Sequence, residues 1–154
     1  MLVETEIEIA APPAKVWRIL CDFPAYPRWH PYRAIVGQAA LGERLSMMIG
    51  PNPADRQKAS ARIGVFKPEE ELAFDSGTFL GRWRETLLFE PTPRGTLLRR
   101  RTKLTGLAAL VFSFGKWRSN LRSAYVASDK ALQKEATANH QAKRPSRYRP
   151  RGRM

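Results

Sequence analysis

Residues 82–105, RWRETLLFEPTPRGTLLRRRTKLT, decide the fold, because they predict two antiparallel strands whose register follows from the turn between them. A turn centred on Pro93 and Arg94 pairs residues whose numbers sum to 187. One face of that hairpin then carries Trp83, Glu85, Leu87, Phe89, Leu98, Arg100, Thr102 and Leu104. The other face carries Arg82, Arg84, Thr86, Leu88, Arg99, Arg101 and Lys103. The mostly apolar face is predicted to point into the core, and the basic face to form an outer wall.

Two charged residues, Glu85 and Arg100, lie on the predicted inner face. They would sit diagonally on adjacent strands, within reach of each other. Burying both charges is costly unless they pair or meet a polar ligand. Two interpretations stay open. The residues form a polar clasp for a ligand, or they form a structural ion pair, unless a register shifted by one residue puts both at the rim.

Elements before the hairpin follow from the spacing of apolar residues and prolines. Alternation over residues 2–9 predicts a first strand. Proline at a first helical position predicts a short helix over residues 13–21, with Val16, Ile19 and Leu20 facing inward. Prolines at 24, 27 and 31 leave room for only one more helical turn. Six further short strands, separated by turn residues, predict an antiparallel meander over 32–38, 44–49, 57–67, 72–76, 82–90 and 96–105.

After Gly106 the apolar spacing changes from two to three and four residues, which predicts one long amphipathic helix of about 30 residues. The fold class is therefore α+β, with a curved sheet covered by a single helix. One helix cannot fill the concave side of such a sheet, so a cavity is expected between them. Phe112 is predicted to belong to the core or to the cavity wall. The candidate ligand-binding residues are Met47, Phe74, Trp83, Glu85, Arg100, Phe114 and Trp117.

Few residue types in this chain could carry metal, redox or nucleophilic chemistry. The lone Cys21 excludes an intrachain disulfide, and with only His30 and His140 available no metal site is expected. No phosphate-binding loop, dinucleotide motif or nucleophile elbow is present, so no cofactor is expected. His30 lacks a partner that would mark it as catalytic, and no catalytic residue is assigned. Tyr26 and Trp29 are predicted either to cap the cavity mouth or to plug one end of the sheet.

The net charge of +13 is concentrated towards the end of the 154-residue chain. Residues 139–154 hold six basic and no acidic residues, and are predicted to be a disordered basic tail after a domain over 1–138. The domain keeps 21 basic against 14 acidic residues. This surface could touch an anionic membrane transiently, whereas specific nucleic-acid binding is not expected. The acidic start favours a cytoplasmic protein. The oligomeric state is not predicted.

The opening EIEIAAPPAKVWRILCDFPAYPRWHP, residues 6–31, resembles the SRPBCC superfamily (START-related, Bet v 1-like), especially its bacterial polyketide cyclase/dehydrase-like branch. The resemblance covers residues 2–136 by layout and is specific over the first 31. It rests on Ile7, Ile9, Pro12 or Pro13, Val16, Trp17, Asp22, Phe23, Tyr26, Pro27 and Trp29.

The resemblance implies a helix-grip fold, in which a seven-stranded antiparallel sheet wraps the C-terminal helix around a cavity for lipids, polyketides, quinones or similar molecules. It transfers no catalytic position. The favoured hypothesis is a module that binds a hydrophobic small molecule. The alternative is a polyketide cyclase or dehydratase, in which Glu85, Arg100 or His30 would move protons or steady an enolate. A third is a membrane-facing quinone or lipid chaperone.

Overall fold

The computed structural model describes residues 1–138, and its main element is a single curved sheet. Its seven antiparallel strands lie in the order β1-β7-β6-β5-β4-β3-β2. Their bounds are β1 Leu2–Ile9, β2 Arg33–Val36, β3 Arg44–Ile49, β4 Gln57–Lys67, β5 Glu71–Thr78, β6 Gly81–Thr92 and β7 Gly95–Gly106. The helices are α1 Pro13–Cys21, α2 Tyr26–Trp29, α3 Leu107–Phe112 and α4 Trp117–Thr137. The α+β helix-grip fold is confirmed. The predicted basic tail at 139–154 lies outside the described residues.

The predicted register of the β6–β7 hairpin is confirmed. Trp83 pairs with Leu104, Glu85 with Thr102, Leu87 with Arg100 and Phe89 with Leu98, so each pair sums to 187. All of these side chains are buried except Trp83, which is half-buried. The opposite face is basic, as predicted, and three of its arginines form ion pairs: Arg84 with Asp75, Arg99 with Glu6 and Glu90, and Arg101 with Glu4.

A bulge in β4 bends the sheet where it curls around the core. The pairing of β4 with β5 shifts between Ile63 and Val65, around Gly64. A Cβ at Gly64 would lie 2.1 Å from Oδ2 of Asp75, the carboxylate that Arg84 binds. Glycine at this position therefore lets the bent strand and the ion pair coexist.

The segment after β1 packs into the closed end of the sheet. Val16, Trp17 and Leu20 are buried, and the Trp17 ring meets Phe66 and Phe89 edge-on at 5.1 and 5.3 Å. Ile19 is only half-buried against this cluster. Tyr26 is also buried, and its hydroxyl donates to the carbonyl of Leu20 at 2.7 Å. These residues plug one end of the sheet. Like Trp29, Tyr26 lies outside the cavity lining described below.

The prediction of one continuous helix after Gly106 is wrong, because the helical segment is interrupted between α3 and α4. Gly115 takes a φ of +81°, which a residue without Cβ adopts readily, and the Ser113 hydroxyl donates back to the carbonyl of Ala109. The remaining helix, α4, has 21 residues and is about 31 Å long. It packs mainly on β1 and makes few close backbone contacts with β3, β4 and β5.

Candidate functional site

A cavity of about 380 Å³ lies between strands β2–β6 and the first half of α4. Its wall is mostly apolar, and small side chains at Ala59 and Ala61 of β4 leave room that larger ones would fill. The volume is within the range of small-molecule sites. The lining consists of Arg33, Met47, Ile49, Ala59, Ser60, Ala61, Phe74, Ser76, Trp83, Glu85, Trp117, Asn120, Leu121 and Tyr125.

Five of the seven candidate residues line this cavity: Met47, Phe74, Trp83, Glu85 and Trp117. Arg100 does not, because it lies buried behind Glu85. Phe114 does not either, since its side chain is 79 % exposed in the segment between α3 and α4. Its predicted position assumed a continuous helix, in which residues 114 and 117 would share one face. The break at Gly115 turns Phe114 out into solvent.

Glu85 and Arg100 are paired, and the pair belongs to a larger buried network. The Arg100 guanidinium donates to Glu85 through Nη1 and to Oδ1 of Asp129 on α4 through Nε and Nη2, the latter two at 3.0 and 2.6 Å. Thr5 of β1 donates to the other oxygen of Asp129 at 2.7 Å. Arg33 of β2 donates to both oxygens of Glu85, at 3.4 and 2.8 Å. The network therefore ties α4 to four strands of the sheet.

The network holds Glu85 ionised. Burial would raise the pKa of this carboxyl group, but the charges of Arg33 and Arg100 and their hydrogen bonds outweigh burial and lower it from 4.5 to about 2. Burial likewise opposes the charge of Arg100, and the carboxylates of Asp129 and Glu85 raise its pKa. With both oxygens accepting hydrogen bonds, Glu85 is poorly suited to take a proton from a substrate.

Arg33 is the cation that faces the cavity, and sequence reasoning missed it. Its side chain is 11 % exposed, and its guanidinium lines the cavity beside Glu85. Two of its five N–H groups bind Glu85, and no acceptor among residues 1–138 binds the others. Tyr125 of α4 lines the same wall, and Thr102 donates to its hydroxyl oxygen at 2.8 Å. Since its oxygen accepts this bond, the Tyr125 hydroxyl keeps its own hydrogen for another acceptor.

Aromatic rings line the cavity where α3 meets α4. The rings of Trp83 and Trp117 meet edge-on with centroids 5.4 Å apart. Phe112 of α3 packs on the other side of Trp117, at 4.6 Å. This end of the cavity wall is thus continuous with the short helix α3.

His30 lies away from the cavity and is held neutral. Burial, together with the charges of Arg33 and Arg100, lowers its pKa from 6.5 to about 2. Its ring stacks on Tyr26 at 5.3 Å, and its Nδ1 accepts a hydrogen bond from the backbone N–H of Tyr32 at 3.2 Å. These contacts make His30 a packing residue of the plugged end.

Two other kinds of site are absent from the described residues. Within residues 1–138, no three His, Cys, Asp or Glu side chains come together in a way that could hold a metal ion. Over the same residues, no helix has the length and apolar character needed to cross a bilayer.

Comparisons with known proteins agree with this architecture. Residues 2–137 match the profile of a family described as polyketide cyclase / dehydrase and lipid transport. Comparison with curated protein sequences found no relative.

Solved structures share the fold at low sequence identity. Protein CV1439 of Chromobacterium violaceum has a TM-score of 0.70 and 19 % identity, over 90 % of this chain and 99 % of that one. Protein MLL2253 of Mesorhizobium loti has a TM-score of 0.68 and 19 % identity, over 87 % and 95 % of the two chains. StfQ, a di-domain ARO/CYC of the steffimycin biosynthetic pathway, has a TM-score of 0.69 and 16 % identity, over 88 % of this chain and 50 % of that chain.

Proposed function

We propose, since the chain belongs to the polyketide cyclase / dehydrase and lipid transport family, that it binds a mostly apolar small molecule in the cavity between β2–β6 and α4. The guest carries one group that accepts hydrogen bonds, such as a carboxylate, a carbonyl or an enolate oxygen. That group lies against Arg33. The observation that carries the proposal is an arginine with unused N–H groups in the wall of a mostly apolar cavity.

The chemistry of the wall supports this choice of guest. Met47, Phe74 and Trp83 offer apolar surface, which favours a hydrophobic body. Glu85 uses only two of the N–H groups of Arg33. An acceptor on the guest would gain charge-assisted hydrogen bonds from the others. A cationic group at the same place would lose these bonds and would meet the guanidinium charge.

The cyclase or dehydratase alternative keeps the same cavity and changes the residues assigned to it. Glu85, Arg100 and His30 do not suit proton transfer, for the reasons of charge and position given above. Arg33 and Tyr125 both line the cavity, and their donor groups would steady an enolate oxygen placed within reach of them. An enzyme of this kind would convert a poly-β-keto substrate, and Arg33→Lys together with Tyr125→Phe would abolish the conversion while weakened binding is still measurable.

Tryptophan fluorescence tests the binding proposal, because Trp83 and Trp117 line the cavity. Dodecanoate supplies an apolar chain with an acceptor end, and dodecyltrimethylammonium supplies the same chain with a cationic end. We expect saturable quenching or enhancement by dodecanoate and much weaker binding of the ammonium ion. Arg33→Lys keeps the charge beside Glu85 but loses the planar fork, and is expected to weaken dodecanoate about tenfold.

A cavity-filling variant provides the specific control. Ala61→Phe places a ring in the cavity and is expected to abolish binding. Ser46→Phe adds the same ring on the exposed side of β3, outside the cavity lining, and should bind like the wild type. Equal binding by the two variants, or equal affinity for the two probes, would refute the proposal.

A further inference from the structure

One end of the molecule exposes a cluster of large apolar side chains, here called the apolar end. Its members come from the β5–β6 turn, from α3 and from the segment before α4. The most exposed are Phe79 at 97 %, Phe114 at 79 % and Val111 at 69 %. The complete set is Phe79, Leu80, Leu107, Leu110, Val111 and Phe114.

Backbone contacts bring these segments together. The backbone N–H of Ala108 in α3 donates to the carbonyl of Leu80 in the turn, at 2.9 Å. A Cβ on Gly81 would come within 2.8 Å of the Ala108 Cβ, so α3 lies directly against the start of β6. The exposed side chains therefore form one surface rather than separate ones.

The short helix α3 buries none of its own residues. A helix of six residues is not stable alone in water, and most helices in proteins are stabilised by burying an apolar face. Here three of the apolar side chains, Leu107, Leu110 and Val111, are each more than 60 % exposed. Contiguous exposed apolar surface of this kind marks a site of contact with another apolar phase.

Cations without partners surround the apolar end. Arg82 and Lys103 lie on the outer face beside the turn, and Lys116 and Arg118 flank the start of α4; none of the four forms an ion pair within residues 1–138. By contrast, Arg84, Arg99 and Arg101 on the same outer face are all paired. No acidic residue occurs in 76–84 or in 91–128. The local charge is therefore strongly positive.

An open trough of about 840 Å³ extends this charge from the apolar end along the outer face. Arg44, Arg62, Arg82 and Lys103 line it without carboxylate partners among the described residues, and its one acid, Asp75, is bound by Arg84. The combination of exposed apolar side chains and unpaired cations is complementary to a surface with an apolar interior and anionic phosphates.

We propose that the apolar end docks on an anionic lipid bilayer. The exposed side chains of the β5–β6 turn and α3 enter the boundary between headgroups and acyl chains, and Arg82 and Lys103 contact lipid phosphates. Phe112 of α3 packs on Trp117, which lines the cavity, so docking brings the cavity wall next to the bilayer. Docking on the bilayer does not require a guest in the cavity. Only the passage of a guest between bilayer and cavity rests on the proposed function.

Flotation of the full chain with lipid vesicles tests the docking. We expect binding to vesicles rich in phosphatidylglycerol, weak binding to pure phosphatidylcholine, and a loss of binding as salt rises. The triple variant Phe79→Ser, Val111→Ser, Phe114→Ser should bind at least about tenfold more weakly. The double variant Arg82→Gln, Lys103→Gln should also lose about tenfold and depend less on salt.

Matched controls change the same residue types elsewhere. Val36→Ser with Leu41→Ser removes two side chains that are 74 % and 66 % exposed near β2, and Arg94→Gln removes an exposed cation in the β6–β7 turn. Both controls should bind vesicles like the wild type. Every variant keeps residues 139–154, so any contribution of the basic tail is common to all of them.

Three results would overturn the proposal. Binding by the triple variant at wild-type strength would assign vesicle attachment to the tail. Equal attachment to neutral and anionic vesicles would remove the role of the cations. Absence of vesicle binding, together with a dimer that the triple variant loses in analytical ultracentrifugation, would assign the surface to a second copy. Dodecanoate binding measured on the triple variant separates failure of docking from failure of the cavity proposal.

Discussion

Replacing Arg100 with methionine removes the centre of the buried ion network. Three hydrogen bonds are lost, and Asp129, 3 % exposed, keeps only the Thr5 hydroxyl as a donor. Glu85 keeps Arg33, so one of the two carboxylates remains paired. Leaving one buried charge without its cation costs about 3–5 kcal/mol. With a urea m-value of about 1.5 kcal/mol/M, the unfolding midpoint should fall by about 2 M or more.

A double-mutant cycle distinguishes this reasoning from a general loss of packing. Asp129→Leu in the Arg100→Met background removes the stranded charge and leaves the neutral pair of Glu85 and Arg33. The double variant should therefore recover about 2 kcal/mol over the single Arg100→Met variant, although it carries one more substitution. Urea unfolding at neutral pH, followed by circular dichroism, measures both. Arg101→Met breaks the exposed pair with Glu4 and should cost less than about 1 kcal/mol. A double variant no more stable than Arg100→Met would refute the argument.

Three further predictions concern pH, backbone geometry and thiol chemistry. The pKa of His30 falls from 6.5 to about 2 on folding, so below pH 6.5 only the unfolded chain takes up this proton. As the pH falls from 6.5 to 4.5, the contribution of His30 to the free energy of unfolding should decrease by about 1.4 kcal/mol per pH unit. His30→Gln should flatten that slope in urea unfolding curves measured at several pH values. Gly95→Ala should cost about 3 kcal/mol or more, because φ is +151° and the new Cβ would lie 2.2 Å from the carbonyl oxygen of Ile9. Gly42→Ala, with φ +78° and open space, should lower the melting temperature far less. Burial raises the pKa of Cys21 to about 11, so about one thiol in a thousand is ionised at pH 8 and alkylation by iodoacetamide should be slow until the chain unfolds.

The β6–β7 hairpin could be predicted residue by residue because its two strands alternate without interruption and its turn is short. Once Pro93 and Arg94 fix the turn, every facing pair follows, including the inward position of Glu85 and Arg100. Period-two alternation leaves only one register that buries the apolar set. The fold class followed from that hairpin, from the other short strands and from the change of spacing after Gly106.

The helix break and the cavity cation could not be predicted in the same way. A single glycine inside an apolar helical pattern costs only about 1 kcal/mol, so the spacing around Gly115 still favours a continuous helix. The break depends on contacts of α3 with the β5–β6 turn. Arg33 belongs to a strand of four residues, too short for its alternation to show which face is buried. Its partner Glu85 is 52 positions away in the chain.

The ion network and the two alanines of the cavity wall lie on different strands. Asp129 on α4 meets Thr5 of β1 and Arg100 of β7, and these contacts fix how far along the sheet the helix sits. Ala59 and Ala61 of β4 make none of these contacts, yet they limit the space for a guest. Under the proposed function, a change in the size of these two neighbouring side chains would alter which guest fits, without loosening the helix that the network holds in place.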